Sequence, residues 1–503
     1  GMPALILFIG IGMLFGSDGI VKIPFDNFAV TEQICTIALG FIMFYGGFNT
    51  KWKAAKPVAV KSLLLSTAGV FLTGFLTMAF CCVVLKFRFA EGFLLGAVIS
   101  CTDAASVFSI LRKKKLNLKD GVASLLEIES GSNDPTAYML TVVGISLVNG
   151  ENLSTVPYAI FAQIVYGVAI GVVLATFGIW VLTKTRVVTN GMYTVFILAL
   201  VLFGMGFSSL VGGNAFLSIY LLGILMGNSS IRNKKEIIPF FDGVTGLSQI
   251  VIFFLLGLLS FPHKFPYIMG TAIVIALFIL LIARPLTVLL ILKPFHCSLN
   301  QCLLVSWAGL RGASSIVFSI FAMAAGNDIS RDLFHIVFMI SLLSVAVQGT
   351  LLPYVSRKLD MIDDKADVQK TFNDYQEESA ITLMRMYIPK GHNWENKHIS
   401  EVHMPTGALA LIKRDDETII TRGNTQILAG DSLILSVPTY NPDDDEGLEE
   451  IFIDKNHPWG NQRIEDLNLP ENVLIALIKR NERNIIPDGK TFIEPEDVVV
   501  LYK

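Results

Sequence analysis

Residues 121–148, GVASLLEIESGSNDPTAYMLTVVGISLV, place Glu129, Asn133 and Asp134 near the middle of a stretch long and apolar enough to cross a bilayer. A carboxylate at that depth costs about 2.5–3.5 kcal/mol on insertion scales, so it persists where a polar cavity or a partner receives it. Asp134 is therefore the first functional candidate. Pro135 follows it, lacking an amide donor and clashing with the carbonyl of Gly131, which opens the helix beside the carboxylate. Ser130 lies one turn earlier on the same face. The Asp134 carboxylate, the Ser130 hydroxyl and the carbonyls around Thr102 are the oxygens that a dehydrated monovalent cation needs. In a low-dielectric cavity a lone carboxylate needs a positive partner, and a proton or a cation can serve, but not both. That is the minimal device for exchange.

The neighbours have separate duties. Asn133 cannot bind a proton, which leaves one titrating acid at this position. Glu129 points to a different face of the helix and needs its own counter-charge, for which Arg311 is the expected partner, because a buried guanidinium requires an acid. Arg284, in the run IARP, is expected to neutralise helix-end carbonyls or an acid. Asp103 is a candidate for that acid, or for the dipole of an opposing helix. Glu127 is expected nearer the mouth of the cavity.

The elements that must hold these groups are membrane helices. Hydrophobic residues make up 53% of the 503 and charged residues 16%, with a mean hydropathy of +0.60, far from a soluble average. At about 20 apolar residues per crossing, twelve segments emerge, near 3–16, 30–48, 59–85, 91–111, 121–148, 156–183, 190–211, 213–228, 243–261, 266–292, 299–325 and 332–356. The first is short and carries no charged signal-peptide region, so an earlier helix is expected before Gly1. Loops after even-numbered segments hold the basic clusters, such as Lys51 to Lys61, Arg112 to Lys119 and Arg357–Lys358, whereas odd-numbered loops are richer in acids. By the positive-inside rule the C-terminal tail is cytoplasmic. The net charge of -3 gives no reason to expect a nucleic-acid partner. The six cysteines, Cys35, Cys81, Cys82, Cys101, Cys297 and Cys302, show no metal-ligand spacing and read as small apolar fillers.

Two segments are interrupted at mid-depth by small and polar residues: Ser100 to Ser106 in the fourth and Ala308 to Ser315 in the eleventh. Seven crossings apart, they run in opposite directions. Paired broken helices with inverted symmetry are the mark of an alternating-access transporter whose site lies between them, and unwound backbone at that depth survives only where protein or a water-filled cavity satisfies it.

These residues also carry a family resemblance. CTDAASVFSILR (101–112), ESGSNDP (129–135) and WAGLRGASS (307–315), with FYGGFNT (44–50), resemble the hallmark motifs of the electroneutral Na+/H+ and K+/H+ exchangers of the cation:proton antiporter superfamily. The resemblance implies a 13-helix protomer, its first helix absent here, with a six-helix core and a dimerisation domain working as a homodimer by an elevator-like motion. It implies Asp134 as the ion and proton carboxylate, Asn133 as its motif partner, Thr102 and Ser130 as ion ligands, and Glu129 with Arg311 as the core ion pair. The asparagine–aspartate order implies one cation for one proton.

Past residue 360 the chain turns polar. Residues 358–380 read as a linker, and after them comes a duplication with a period near 66. Trp394 matches Trp459, Pro405 matches Pro470, Lys413–Arg414 match Lys479–Arg480, and Asp431 matches Asp497, with the acidic stretch 442–450 between the copies. Short β-branched runs alternate with Gly/Asp turns, as in a small α+β unit. Each copy resembles the C-terminal ligand-binding domain of regulators of K+ conductance, RCK_C, without the Gly-rich fingerprint of the nucleotide-binding half. Such domains dimerise and bind small ligands, cyclic di-AMP among them. His392, His398, His403 and His457 read as surface residues.

The expectation is thus an all-α polytopic membrane domain with inverted repeats over 1–357, the linker 358–380, and α+β domains at 381–440 and 446–503. It is a multi-pass inner-membrane antiporter, not an enzyme. It exchanges K+ in preference to Na+ for H+, needs no cofactor, and is regulated by a small ligand on the tail. A Na+/H+ antiporter of the same mechanism, a ligand-gated cation channel on the same charged pore and an organic-anion symporter of related architecture are the alternatives.

Overall fold

The computed structural model describes all residues except 1–3, 115, 152, 185–191, 232–233, 326–329, 363–380, 389, 391, 393, 403–408, 415–416, 439–447, 455–456, 468–473, 481–482, 486, 488, 490, 496 and 503. Most of the expected linker and of the acidic stretch, together with His403, Pro405 and Pro470, therefore lie outside the described residues. The chain forms two compact units, Gly1–Tyr375 and Gln376–Lys503.

In the first unit, helices occupy every one of the twelve expected segments. They are α1 (Ala4–Phe15), α2 (Phe28–Asn49), α3 (Ala59–Val83), α4 (Phe89–Ile99), α5 (Ala104–Lys113), α6 (Val122–Val148) and α7 (Val156–Lys184), followed by α8 (Tyr193–Leu210), α9 (Ala215–Gly227), α10 (Lys234–Leu258), α11 (Pro262–Phe295), α12 (Leu299–Trp307), α13 (Ala313–Ala324) and α14 (Leu333–Lys358). The fourth segment is split into α4 and α5 by Ser100–Asp103, and the eleventh into α12 and α13 by Ala308–Gly312, as the small, polar runs predict. Three other crossings stay continuous but pass through a π-helical turn: Leu65–Gly69 in α3, Ile279–Ala283 in α11 and Ser344–Gly349 in α14. The last lies on the eleventh segment's break, Ser344 Oγ accepting from Arg311 N and Gln348 Nε2 donating to the Trp307 carbonyl, and such turns recur at functional sites.

Packing gathers these helices into two groups that meet where α13 lies on α2 and α6 on α9. In one, α9 lies against α2, α7 and α8, and α10 packs on α1 and α2; in the other, α3 packs on α4, α4 on α6, α11 on α12 and α14, and α13 on α14. The second group contains both broken crossings and α6. Large apolar side chains such as Leu7, Val173, Phe203 and Leu281 face outward, as a bilayer requires and an aqueous surface does not.

The second unit holds two antiparallel four-stranded sheets with one connectivity. Strands β1 (Ile381–Tyr387), β2 (Leu409–Arg414), β3 (Glu417–Ile420) and β4 (Ser432–Pro438) lie in the order β1-β4-β2-β3. Strands β5 (Leu448–Phe452), β6 (Leu474–Arg480), β7 (Arg483–Ile485) and β8 (Val498–Tyr502) repeat it as β5-β8-β6-β7. The duplication extends to the register: a bulge interrupts Leu409/Leu411 in the first sheet and Ile475/Leu477 in the second. Among the described residues the helical part of each copy is a single 3-10 turn, Ile399–Glu401 and Ile464–Asp466. His392 and His457 hold equivalent turns, each accepting through Nδ1 the backbone N–H two residues on, at 3.2 Å, with the ring of Trp394 or Trp459 alongside. They are thus repeated structural residues and not scattered surface ones.

Candidate functional site

The two unwound segments cross and are tied together through backbone. The N–H of Asp103 donates to the carbonyl of Leu310 at 2.8 Å, and Arg311 Nη1 donates to the carbonyl of Cys101 at 2.8 Å. Carbonyls and amides freed by the breaks are thus satisfied by the opposite break, as backbone at membrane depth demands. Asp103 caps its own helix, accepting from Ser106 Oγ at 2.7 Å. It also fits against Gly312, the residue before α13, where a Cβ would stand 2.2 Å from its Oδ2. Asp103 therefore meets the start of the opposing helix, one of its two expected places, and does not pair with Arg284.

Helix α6 runs past this crossing. Ser130 is stapled to it twice, donating to the Thr102 carbonyl at 3.0 Å and accepting from Ala104 N at 2.9 Å. Asn133 Nδ2 donates to Thr102 Oγ1 at 2.7 Å, which turns the amide oxygen of Asn133 away. Ser314, in the first turn of α13, donates to Asp134 Oδ2 at 2.8 Å. Asp134 is 6% exposed and Asn133 fully buried. Two acceptor atoms are left over: Asp134 Oδ1 and Asn133 Oδ1 receive no hydrogen bond, although the weakly donating thiol of Cys101 stands beside the carboxylate. A buried oxygen without a donor is costly; Glu129 Oε2 is in the same state but its carboxylate has Arg284, whereas Asp134 forms no ion pair among the described residues and is where a positive ligand belongs. Ser130 and Thr102, expected as ligands, have their oxygens engaged within the protein here.

The ion pair differs in detail from expectation. Glu129 is bound by Arg284, whose Nη2 donates to Oε1 at 2.6 Å, with both side chains almost completely buried. Arg311 makes no hydrogen bond to Glu129 and acts on it, and on Arg284, only through space. The cause is steric: Gly309 leaves room for the Arg284 side chain, since a Cβ there would lie 2.7 Å from its Nε. Arg311 is meanwhile committed to the crossing, its side chain bonding Cys101 and its N–H donating to Ser344 Oγ at 3.0 Å. Glu129, Arg284 and Arg311 are together, but the contact runs through Arg284.

Exposure along α6 gives the direction of approach. Glu127, Ser130, Gly131 and Ser132 keep partial exposure, whereas residues 133–137 are buried. Beyond them Tyr138 and Phe321 close the site against Phe216 of α9, with Tyr138–Phe216 ring centroids 4.9 Å apart and nearly perpendicular. The polar residues that keep partial exposure nearest Asp134, Glu127, Ser130 and Ser132, thus lie toward the Val122 end of α6, and the aromatic cluster lies on its other side. Among the described residues no group of His, Cys, Asp and Glu has the arrangement of a metal centre.

A buried carboxylate at the crossing of two antiparallel broken helices defines a transporter of monovalent cations. Residues 1–358 match the family model of the transmembrane sodium/hydrogen exchanger, and the chain belongs to that family. It is 31% identical over 440 residues to the K(+)/H(+) antiporter NhaP2 of Shewanella baltica (strain OS223), covering 86% of this chain and 76% of that one. It is 33% identical over 441 residues to the K(+)/H(+) antiporter NhaP of Alkalimonas amylolytica, covering 86% and 77%. The fold is that of the sodium proton antiporter MjNhaP1 from Methanocaldococcus jannaschii, at a TM-score of 0.63 and 22% identity over 71% of this chain and 92% of that one. In the tail, residues 448–502 match the TrkA-C domain.

Proposed function

We propose that this chain is a secondary antiporter that exchanges K+ for H+, one for one, by letting the two ions take turns on Asp134. The observation that carries the reading is the unclaimed Oδ1 of the buried Asp134 carboxylate, which forms no ion pair among the described residues. Around the crossing three carboxylates, Asp103, Glu129 and Asp134, face two guanidinium groups, Arg284 and Arg311. One acid is in excess, and either a proton or one monovalent cation cancels it. A site that is neutral in both loaded forms can reorient without moving net charge, which supports electroneutral exchange. Asn133, Ser314 and, in a rearranged state, Thr102 and Ser130 supply the remaining oxygens.

The names of the K(+)/H(+) antiporters at 31% and 33% identity favour K+. Na+ is the second reading, because hard oxygen ligands serve both ions and cavity size decides between them. The chain works as a transporter without enzymatic chemistry or a cofactor. It sits in the inner membrane with the basic loops and the tail in the cytoplasm, as a homodimer whose tail domains bind a small regulatory ligand. Everted vesicles carrying the chain should lose a preformed proton gradient when K+ is added, and Asp134→Asn should abolish that response. Exchange at the normal rate in Asp134→Asn would overturn the reading.

A further inference from the structure

Asn214 stands just before α9, in the sequence GGNAF, and makes five bonds. Its Oδ1 caps α9 by accepting from Leu217 N at 3.0 Å, its N–H donates to the Gln163 carbonyl of α7 at 3.1 Å, and its carbonyl accepts from Ser218 N at 3.0 Å and from Ser218 Oγ at 3.1 Å. The fifth bond leaves its own group of helices: Nδ2 donates at 2.8 Å to the carbonyl of Pro135 in α6, the residue next to Asp134. The side chain is 2% exposed, so this contact is fully desolvated. Two residues on, Phe216 packs against Tyr138 of the same helix α6.

We infer that Asn214 is a latch whose Nδ2–H···O=C bond to Pro135 holds α6 and the broken pair against the α2/α7/α9 group while Asp134 is open from the Val122 end. The inference rests on the exchange reading above and adds a positioning residue to it. Four of the five bonds fix Asn214 to α7 and α9, so it is a rigid post. Pro135 is carried by the helix that bears the ion-binding acid. To present Asp134 to the opposite side, α6 must move relative to α9, and this bond must break. Losing it removes stabilisation from one orientation only, so the equilibrium between the two orientations shifts by about two- to ten-fold, the effect of one net hydrogen bond.

The test uses two variants that keep the helix cap. Asn214→Ser caps α9 but is too short to reach Pro135, and Asn214→Asp caps α9 but has no N–H to donate. Half-saturating K+ is measured for the full-length chain at each membrane face, in everted and in right-side-out vesicles. In both variants the value at the face served by the Val122 end should rise and that at the other face should fall, changing their ratio by about two- to ten-fold. A residue that only stabilised the fold would lower both rates without moving the ratio. An unchanged ratio in both variants, beside an exchanging wild type, overturns the latch alone; failure of both variants to insert would make Asn214 a folding residue and overturn it too. No exchange by the wild type would overturn the parent reading as well.

Discussion

Two sets of buried charge in this chain are built on opposite plans. In the tail, Asp431 accepts from Arg414 Nε at 2.7 Å and Nη2 at 2.8 Å and from Leu428 N at 2.8 Å. Asp497 repeats the pattern with Arg480 Nε and Nη2 and with Glu494 N, all at 2.8 Å. Every oxygen of these two carboxylates has a donor, and each arginine continues to a carbonyl, Gln426 or Phe492, of the neighbouring loop. In the membrane unit the arginines are buried along with the acids, yet the charges are less complete: Glu129 Oε2, Asp134 Oδ1, Arg284 Nε, and Nε and Nη2 of Arg311 have no hydrogen-bond partner. Saturated charge holds a fold together; charge left unsaturated at a cost in stability is kept for a ligand or a second arrangement.

The comparison breaks most visibly at Glu129. Removing one partner of a buried ion pair costs about 3–5 kcal/mol, so Glu129→Ala should lower the thermal stability of the purified protein sharply and abolish transport with it. A transport-dead but normally stable Glu129→Ala would mean that Glu129 belongs with Asp134 and not with the structural charges. Asp431→Asn should cost about 1.5–3 kcal/mol, the range for bonds to a charged group. It should be seen in the full-length chain as an at least ten-fold faster amide exchange in β2 and β4, with exchange of ions across the membrane retained.

The same carboxylate has a pH signature. Burial works to raise its proton affinity, but the Arg414 side chain and the Leu428 N–H outweigh it and hold Asp431 below the ordinary 3.8. A depressed carboxylate contributes stability that is complete above its unfolded value and disappears as pH falls through the folded one. Amide protection of the first sheet should therefore be flat from neutral pH down to about pH 4 and fall in more acid solution, and Asp431→Asn should flatten that fall. Protection that already drops between pH 7 and 5 would remove this ion pair as its cause. The smallest effect is expected at Ser314, which gives one hydrogen bond to Asp134. Ser314→Ala should raise half-saturating K+ about three- to ten-fold with little change in stability.

Much of this was legible in the chain itself, because helix length, apolar content and basic loops are local properties. The twelve crossings, both interruptions, the tail duplication and the central position of Asp134 follow from residues read in order. Which arginine meets Glu129 does not follow, since Arg284 and Arg311 are both buried cations and the choice is made by the space that Gly309 leaves on a distant helix. Ser314 stood within a quoted motif, but nothing in WAGLRGASS distinguishes its hydroxyl from that of Ser315. Asn214 carried one readable signal, an N-cap residue ahead of an apolar run; its second bond, to Pro135, depends on the approach of α9 to α6. Two of the tail histidines, His392 and His457, read as surface residues when taken singly, and only the repeated His-x-Trp spacing shows that they serve one turn twice.

The mutual exclusion of proton and cation at Asp134 can be measured without transport. K+ added to the purified, detergent-solubilised protein in weakly buffered solution should release about one proton per chain, with a saturation curve that moves to higher K+ as the pH is lowered, and Asp134→Asn should release none. K+ binding without proton release in the wild type, or equal release from Asp134→Asn, would contradict a shared site on this carboxylate.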